Sequence, residues 1–218
     1  MTTPITLVVA STNRGKLAEL RELLADLPVT VVPAAELLGD AMPHVEETGA
    51  TFEENATLKA RAIADACVHL TLADDSGLEV DALEGRPGVR SARFAHARAT
   101  DAENNAALLS ALADIDEAHR TARFRCVLAL VDPWAAEGAE PLFADGRCEG
   151  SIALEPRGSG GFGYDPLFVL AGSGRTMAEL GDAEKNDVSH RARAIAALVP
   201  RLRALLARRA GEAGPSGG

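Results

Sequence analysis

The stretch Leu72-Ala73-Asp74-Asp75-Ser76-Gly77-Leu78 sets two adjacent carboxylates, a hydroxyl and a glycine between short apolar runs. Two acids delivered to one rim by a buried strand suit a divalent cation and a water that must lose a proton. Gly77 would permit a sharp bend after them. The same residue types also make hairpin turns, so the stretch alone leaves that reading open. A second candidate lies at Ser11-Thr12-Asn13-Arg14-Gly15-Lys16, between the apolar run of residues 5–10 and a helical pattern at Leu17, Leu20, Leu23 and Leu24. A strand, a polar loop and a helix start together aim backbone N–H groups at an anion, and Lys16 adds positive charge. The spacer and Gly-Lys-Ser/Thr ending of a Walker A loop are missing, which sets aside a P-loop kinase. A neutral strand-to-helix turn is the alternative.

Two later stretches carry further candidates. Residues 156–166 (PRGSGGFGYDP) hold four glycines around Phe162 and Tyr164. Glycine lets backbone approach a flat ligand, and Phe162 can stack on a nucleobase. Aromatics make up only 4% of the chain, so two of them in one loop favour a site over a plain surface loop. Ser189-His190-Arg191 opens the last helix with Ser189 as its cap. Cations in a first turn run against the helix dipole, which points to an anion or a carbonyl nearby. The acidic pair Glu46-Glu47, the helical Lys59 and the arginine-rich residues 85–93 each also read as ordinary solvated charge.

The elements that must position these groups follow from pattern. Residues 5–10 and 29–32 read as strands, and Thr51-Phe52-Glu53-Glu54 is a capping box that starts a helix reaching about residue 68. On that helix Leu58, Ala62, Ile63 and Ala66 are expected to face the core, with Asn55 and Lys59 sharing a face. A short strand follows the bend at Gly77, and a helix over 101–112 is capped by Thr100, with Ala106, Leu109 and Leu112 inward. Residues 122–131 and 142–150, with 151–154 as an extension or a third strand, read as an antiparallel meander set apart from the first sheet. The last helix carries a stripe of Ile195, Leu198, Leu202, Leu205 and Leu206, and Pro200 should kink it.

Composition narrows the function. The 218 residues suffice for one large domain or two small lobes. A formal net charge of −10 argues against a general nucleic-acid binder, yet local Lys, Arg and a metal can offset a triphosphate. Cys67, Cys126 and Cys148 lie far apart without CxxC spacing, so neither a disulfide framework nor a zinc site is expected. No run reaches the roughly 20 apolar residues of a membrane span, and no signal-peptide pattern is present. A cytoplasmic protein without membrane or nucleic-acid partners is expected.

Five patterns occur in an order seen in one family: Ser11-x-Asn13-x-x-Lys16, residues 51–61 (TFEENATLKAR), Asp74-Asp75-Ser76-Gly77, Gly161-Phe162-Gly163-Tyr164-Asp165-Pro166 and Ser189-His190-Arg191. On these the chain resembles the inosine triphosphate/xanthosine triphosphate pyrophosphatases, which cleanse nucleotide pools of deaminated purines. The resemblance covers roughly residues 5–205, and Thr12 stands where many relatives have glycine. It implies an α/β fold, two-lobed, with a long mixed central β-sheet flanked by helices and the active-site cleft between the lobes. It implies a single domain over 1–209, a homodimer, and Mg²⁺-dependent hydrolysis of ITP, dITP or XTP to the monophosphate and pyrophosphate; residues 210–218 (AGEAGPSGG) lie outside the resemblance and read from their composition as a disordered tail.

Roles follow from the same resemblance. Ser11, Thr12, Asn13, Arg14, Gly15 and Lys16 would hold the triphosphate, with Ser76 touching substrate. Asp75 would ligate Mg²⁺ and accept the proton of the attacking water, with Lys16 and Lys59 assisting. Glu46 is the expected second metal carboxylate and Glu47 its near rival. Phe162 would stack on the purine, with Gly163, Tyr164 and Asp165 near its edge. Lys185, His190 and Arg191 would donate to O6, an acceptor where adenine carries an amino donor, and so reject adenine. A Maf-like pyrophosphatase of other specificity lacks the Ser-His-Arg and Phe-Gly-Tyr-Asp patterns. A non-catalytic nucleotide sensor would not need Asp75 as a base.

Overall fold

The computed structural model describes residues 4–212, and a six-stranded mixed sheet organises them. β1 (Ile5–Val9) leads through α1 (Arg14–Leu23) to β2 (Val29–Pro33), its parallel neighbour. α2 (Ala34–Leu38) and α3 (Phe52–Cys67) return the chain to β3 (Leu70–Val80), parallel to β1 on the other side. α4 (Asp101–Ala111) precedes β4 (Thr121–Val131) and β5 (Leu142–Ile152), which add antiparallel strands. β6 (Phe168–Leu170) ends the sheet in the order β2-β1-β3-β4-β5-β6. α5 (Asp182–Val188) and α6 (His190–Glu212) complete the described chain. α6 continues through Pro200 and into the stretch expected to be disordered; the rest of that tail lies outside the described residues.

Two expectations about the sheet are corrected. The meander is not a sheet of its own, because β4 pairs with β3 from Thr71 to Val80. The bend at Gly77 is absent for the same reason: Asp74, Asp75, Ser76 and Gly77 each have a β4 partner, and that ladder outweighs their turn preference. Gly77 answers a different need. A Cβ there would overlap the carbonyl oxygen of Gly88 and Oγ of Ser91. The unbroken strand also separates the two acids. Alternation turns Asp74 and Ser76 to one face of the sheet and Asp75 to the other, so they do not share a rim.

Apolar packing covers both faces. On one, Leu198, Leu202, Leu205 and Leu206 of α6 and Leu20 of α1 meet Leu7, Leu72 and Leu128. On the other, Phe52, Ala56, Ala60 and Ile63 of α3 meet Val8, Ala73, Val127 and Ala129. The far ends of β3 and β4 pack with Leu108, Leu112, Tyr164 and Phe168. The inward face of α3 is therefore rotated from the expected one, with Leu58 40% exposed and Ala66 exposed. On α4 the inward residues are Asn104 and Leu108 rather than Ala106. The capping box at Thr51 forms as read, and the expected cap Thr100 proves to be a full capping box with Glu103.

α6 lies directly on β5 at Gly146, where a Cβ would overlap the carbonyl oxygen of His190 and the amide nitrogen of Ala194. Gly146→Ala is therefore expected to destabilise the fold by about 1–3 kcal/mol through overpacking. The check is the denaturant midpoint; a midpoint equal to wild type would mean that α6 can retreat without loss.

Candidate active site

β1 pairs with β3 only as far as Leu72, and the chain then leaves the sheet as the loop Ser11-Thr12-Asn13. β3 continues beyond that point, leaving its edge at Asp74–Ser76 beside the start of α1. A crevice past the carboxyl end of a parallel strand is where an α/β sheet accepts ligands. Asn13 caps α1 by accepting from the Lys16 amide at 3.1 Å, and Ser11 Oγ accepts from the Asn13 amide at 3.2 Å. A cavity of about 520 Å³ opens here, lined by Ser11, Thr12, Asn13, Lys16, Glu47, Lys59, Asp75 and Ser76 among others.

Lys59 organises the acidic wall of this cavity. Its ammonium donates to Asp75 Oδ1 at 2.7 Å, to the Asp74 carbonyl at 2.9 Å and to Glu47 Oε1 at 3.1 Å. Arg93 adds a bond from Nη2 to the Glu47 carbonyl at 3.1 Å. Asp75 Oδ2 is buried and has no hydrogen-bond partner among the described residues. Burial pushes the Asp75 carboxyl above its usual range, with Lys59 pulling the other way. For Glu47 burial also acts upward, but Lys59, Lys16 and Arg93 prevail and its carboxyl sits below the ordinary value.

The opposite face of β3 holds a second set of charges. Asp74 is 1% exposed and accepts from Lys16 Nζ at 2.7 Å and Ser76 Oγ at 2.9 Å on one oxygen. Its other oxygen accepts from Arg191 Nε at 2.6 Å and the Cys126 thiol at 3.2 Å. Burial opposes ionisation of Asp74, but Arg191 and Lys16 hold its carboxyl well below the usual range. Arg191 also pairs with Glu19, which accepts from Lys185 Nζ at 2.7 Å. Lys185 in turn donates to Asp165 Oδ2 at 2.7 Å, and the same oxygen accepts the Phe162 amide at 2.9 Å. A narrower cavity of about 110 Å³ lies above these groups, with Phe162, Gly163, Tyr164, Asp165, Lys185, His190 and Arg191 in its wall. Lys16, Asn13 and Ser76 line both cavities.

The chain has counterparts among known proteins. The Ham1 family profile matches residues 7–201. The chain belongs to the Ham1 family. It is 49% identical over 199 residues to a dITP/XTP pyrophosphatase of Methylococcus capsulatus, covering 91% of this chain and 96% of that protein. A dITP/XTP pyrophosphatase of Desulforamulus reducens is 50% identical over 189 residues, covering 87% and 91%. Among solved structures, a HAM1 protein from Coxiella burnetii superposes with a TM-score of 0.82 at 46% identity, covering 91% of this chain and 98% of that one. The Staphylococcus aureus Ham1 protein gives 0.78 at 40% identity with the same coverage.

Within this Ham1-family chain, the residues singled out from sequence meet at the two adjoining cavities with three exceptions. Glu46 is exposed and outside both linings, because side chains along residues 44–50 alternate and Glu47 is the one turned toward Lys59. Arg14 is exposed and lines neither cavity. Gly15 lines neither, but it lies under the Phe162 ring, where a Cβ would overlap the ring carbons. Tyr164 is buried with its hydroxyl donating to the Ser91 carbonyl at 2.8 Å, so it anchors the loop. Asp74 and Glu19 were missed as partners of the cationic residues. The one available signal for Glu19 was its place three residues after Lys16 on α1.

His190 is 6% exposed and stacks on Phe124 with ring centroids 4.9 Å apart. Burial, then the charge of Arg191, depress its pKa well below the ordinary value, so the folded protein holds a neutral imidazole. An unfolded chain protonates His190 as pH falls through about 6.5, whereas the folded chain does not. Its contribution is thus complete above that pH and declines below it, by up to about 1.4 kcal/mol per pH unit. His190→Gln should flatten the fall in unfolding free energy between about pH 6.5 and 5. Denaturation series at several pH values check this, and an unchanged slope would show that the imidazole is protonated in the fold.

Proposed function

We propose that the chain hydrolyses the triphosphates of deaminated purines, dITP, ITP and XTP, to the monophosphate and pyrophosphate by attack of water on the α-phosphorus. The observation that carries the reading is the buried, unpartnered Asp75 Oδ2 in a cation-lined cavity that shares a wall with a donor-lined pocket. The names and coverage of the bacterial relatives support it. It is a hydrolase of acid anhydrides, and in the cell it would remove nonstandard purines from the nucleotide pool.

Asp75 is suited to take the proton of the attacking water, since burial raises its basicity above that of an exposed carboxylate. Lys16, at the start of α1, and Lys59 would neutralise phosphate charge and orient the chain of phosphates. Mg²⁺ fits the same wall. Asp75 Oδ2 lacks a partner, Glu47 lies beside it on Lys59, and Mg²⁺ commonly takes one or two carboxylates with substrate oxygens completing its shell. Asp75 and Glu47 would hold it in place of the expected Asp75 and Glu46. When bound, the ion would supply charge neutralisation to the departing pyrophosphate.

Base choice rests on donors. Lys185 uses two of its three N–H groups on Asp165 and Glu19, and Arg191 retains N–H groups beyond those given to Asp74, Glu19 and Ser76. O6 of hypoxanthine or xanthine would accept from them, whereas the amino group of adenine would leave donors facing a donor. Phe162 would stack on the purine. A cytoplasmic homodimer completes the proposal. Among the described residues no helix is long and apolar enough to cross a membrane, and the charge of −10 disfavours nucleic acid.

The purified protein with Mg²⁺ should release pyrophosphate from ITP, XTP and dITP and little from ATP or GTP. Orthophosphate as the product would place attack at the terminal phosphorus and overturn the mechanism. Asp75→Asn should lower kcat by about 10²–10⁴-fold with an unchanged melting curve, as removal of a general base does. Near-normal turnover would remove Asp75 from that role, whereas no turnover by the wild-type protein would favour a nucleotide sensor. Glu47→Gln should raise the Mg²⁺ concentration for half-maximal rate by at least about tenfold and Glu46→Gln should not; the reverse order, in a metal titration of initial rates, would restore Glu46.

A further inference from the structure

We infer that Asp101 and Asn105 of α4 are positioning residues for base selection, acting through the Gly163 peptide; the inference rests on the purine-pocket reading above. Gly161 and Gly163 flank Phe162 with φ of +72° and +63°, so the backbone on either side of the ring is in a conformation only glycine adopts readily. Such a loop needs external bonds to hold one geometry. Asp101 Oδ2 accepts from the Gly163 amide at 2.7 Å, and Asn105 Nδ2 donates to the Gly163 carbonyl at 2.9 Å. The two side chains are four residues apart and so project from one face of the helix.

The helix that holds them is itself held. The Thr100–Glu103 capping box sets its first turn, and Leu108 and Leu112 are fully buried. Asn104 donates to the Ala92 carbonyl at 3.2 Å and accepts from the Ala95 amide at 3.0 Å. Asn105 Oδ1 is buried without a partner among the described residues, an unfavourable placement that an apolar residue would avoid. Its donated bond to Gly163 is what the asparagine supplies in return. Fixing Gly163 fixes the residue on each side of it. Tyr164 reaches the Ser91 carbonyl, and the Phe162 ring lies 4.7 Å from the Lys185 ammonium and over Gly15. Loss of either α4 bond would let the stacking ring drift from the donors that read O6, leaving Asp75, Lys59 and the phosphate loop in place.

The test compares the full chain with Asp101→Ala, Asn105→Leu and Asp101→Asn, the last of which keeps an acceptor oxygen. Asp101→Ala and Asn105→Leu should raise KM for dITP about tenfold and reduce the preference over dATP, with kcat within about twofold of wild type. Competitive inhibition by inorganic tripolyphosphate, which uses only the phosphate cavity, should be unchanged, and Asp101→Asn should behave as wild type. Hydrogen exchange of residues 160–165 in nucleotide-free protein should quicken in the first two variants only. Unaltered exchange, or KM, kcat and tripolyphosphate inhibition all worsening together, would overturn the clamp. Faster exchange with unchanged KM would overturn the selection claim alone. Wild type without a dITP preference would overturn the functional reading and the selection claim with it, and the exchange result would still report on the loop.

Discussion

A carboxylate removed from water must be satisfied by its neighbours, and Asp74 draws those neighbours from four parts of the chain. Lys16 comes from the start of α1, Arg191 from the start of α6, Cys126 from β4, and Ser76 from the same strand. Such a cluster is a weak source of net stability, because desolvation offsets much of the attraction. Removing one member, however, strands the others, so the geometry is strongly specified. Both helix starts are thereby held against one point of β3. Glu19 then ties Arg191 to Lys185, and Asp165 ties Lys185 to the Phe162 amide. The groups suited to phosphate and those suited to base are one connected set of charges.

The adjacent acid has the opposite fate. Asp75 faces the other side of the sheet, where Lys59 satisfies one oxygen and the second has no partner among the described residues. The result is two neighbouring aspartates whose acidities are driven apart, Asp74 far below the ordinary value and Asp75 above it. Divergent environments for like groups are how a site assigns different roles to them. Asp74 remains a fixed anion around which cations are placed, while Asp75 keeps a raised proton affinity.

Much of this was legible from residue types, and the failures share a cause. β1, the Thr51 capping box, the Thr100 cap and the apolar stripe of α6 are local patterns, and they form as read. The bend at Gly77 was a local preference overruled by the ladder to β4, a partner some fifty residues away that no turn rule sees. Choosing Glu46 over Glu47 required knowing which way an extended segment alternates, and two identical neighbours carry no such signal. The buried face of α3 is hidden from local pattern because alanines surround the helix, so Leu58 outweighs by size the smaller residues that pack. Glu19, Arg93, Asp101 and Asn105 are ordinary charged or polar helix and loop residues until their distant partners are known.

The alanine-rich, aromatic-poor composition also has a place in the chemistry. Ala56 and Ala60 of α3 are fully buried against Ala73 and Ala129 of the sheet. Small side chains on both surfaces let a helix approach a sheet closely, where Leu or Phe would hold it away. Lys59 sits between those alanines in sequence, with its stem along the packed interface and its ammonium on three oxygens, 14% of its side chain exposed. A helix standing farther off would leave that ammonium short of Asp75 or pull it into water, where its field on the carboxylate would be screened. The small residues that give the sequence its low aromatic content therefore set the distance at which a helical lysine can control the acidity of a strand aspartate.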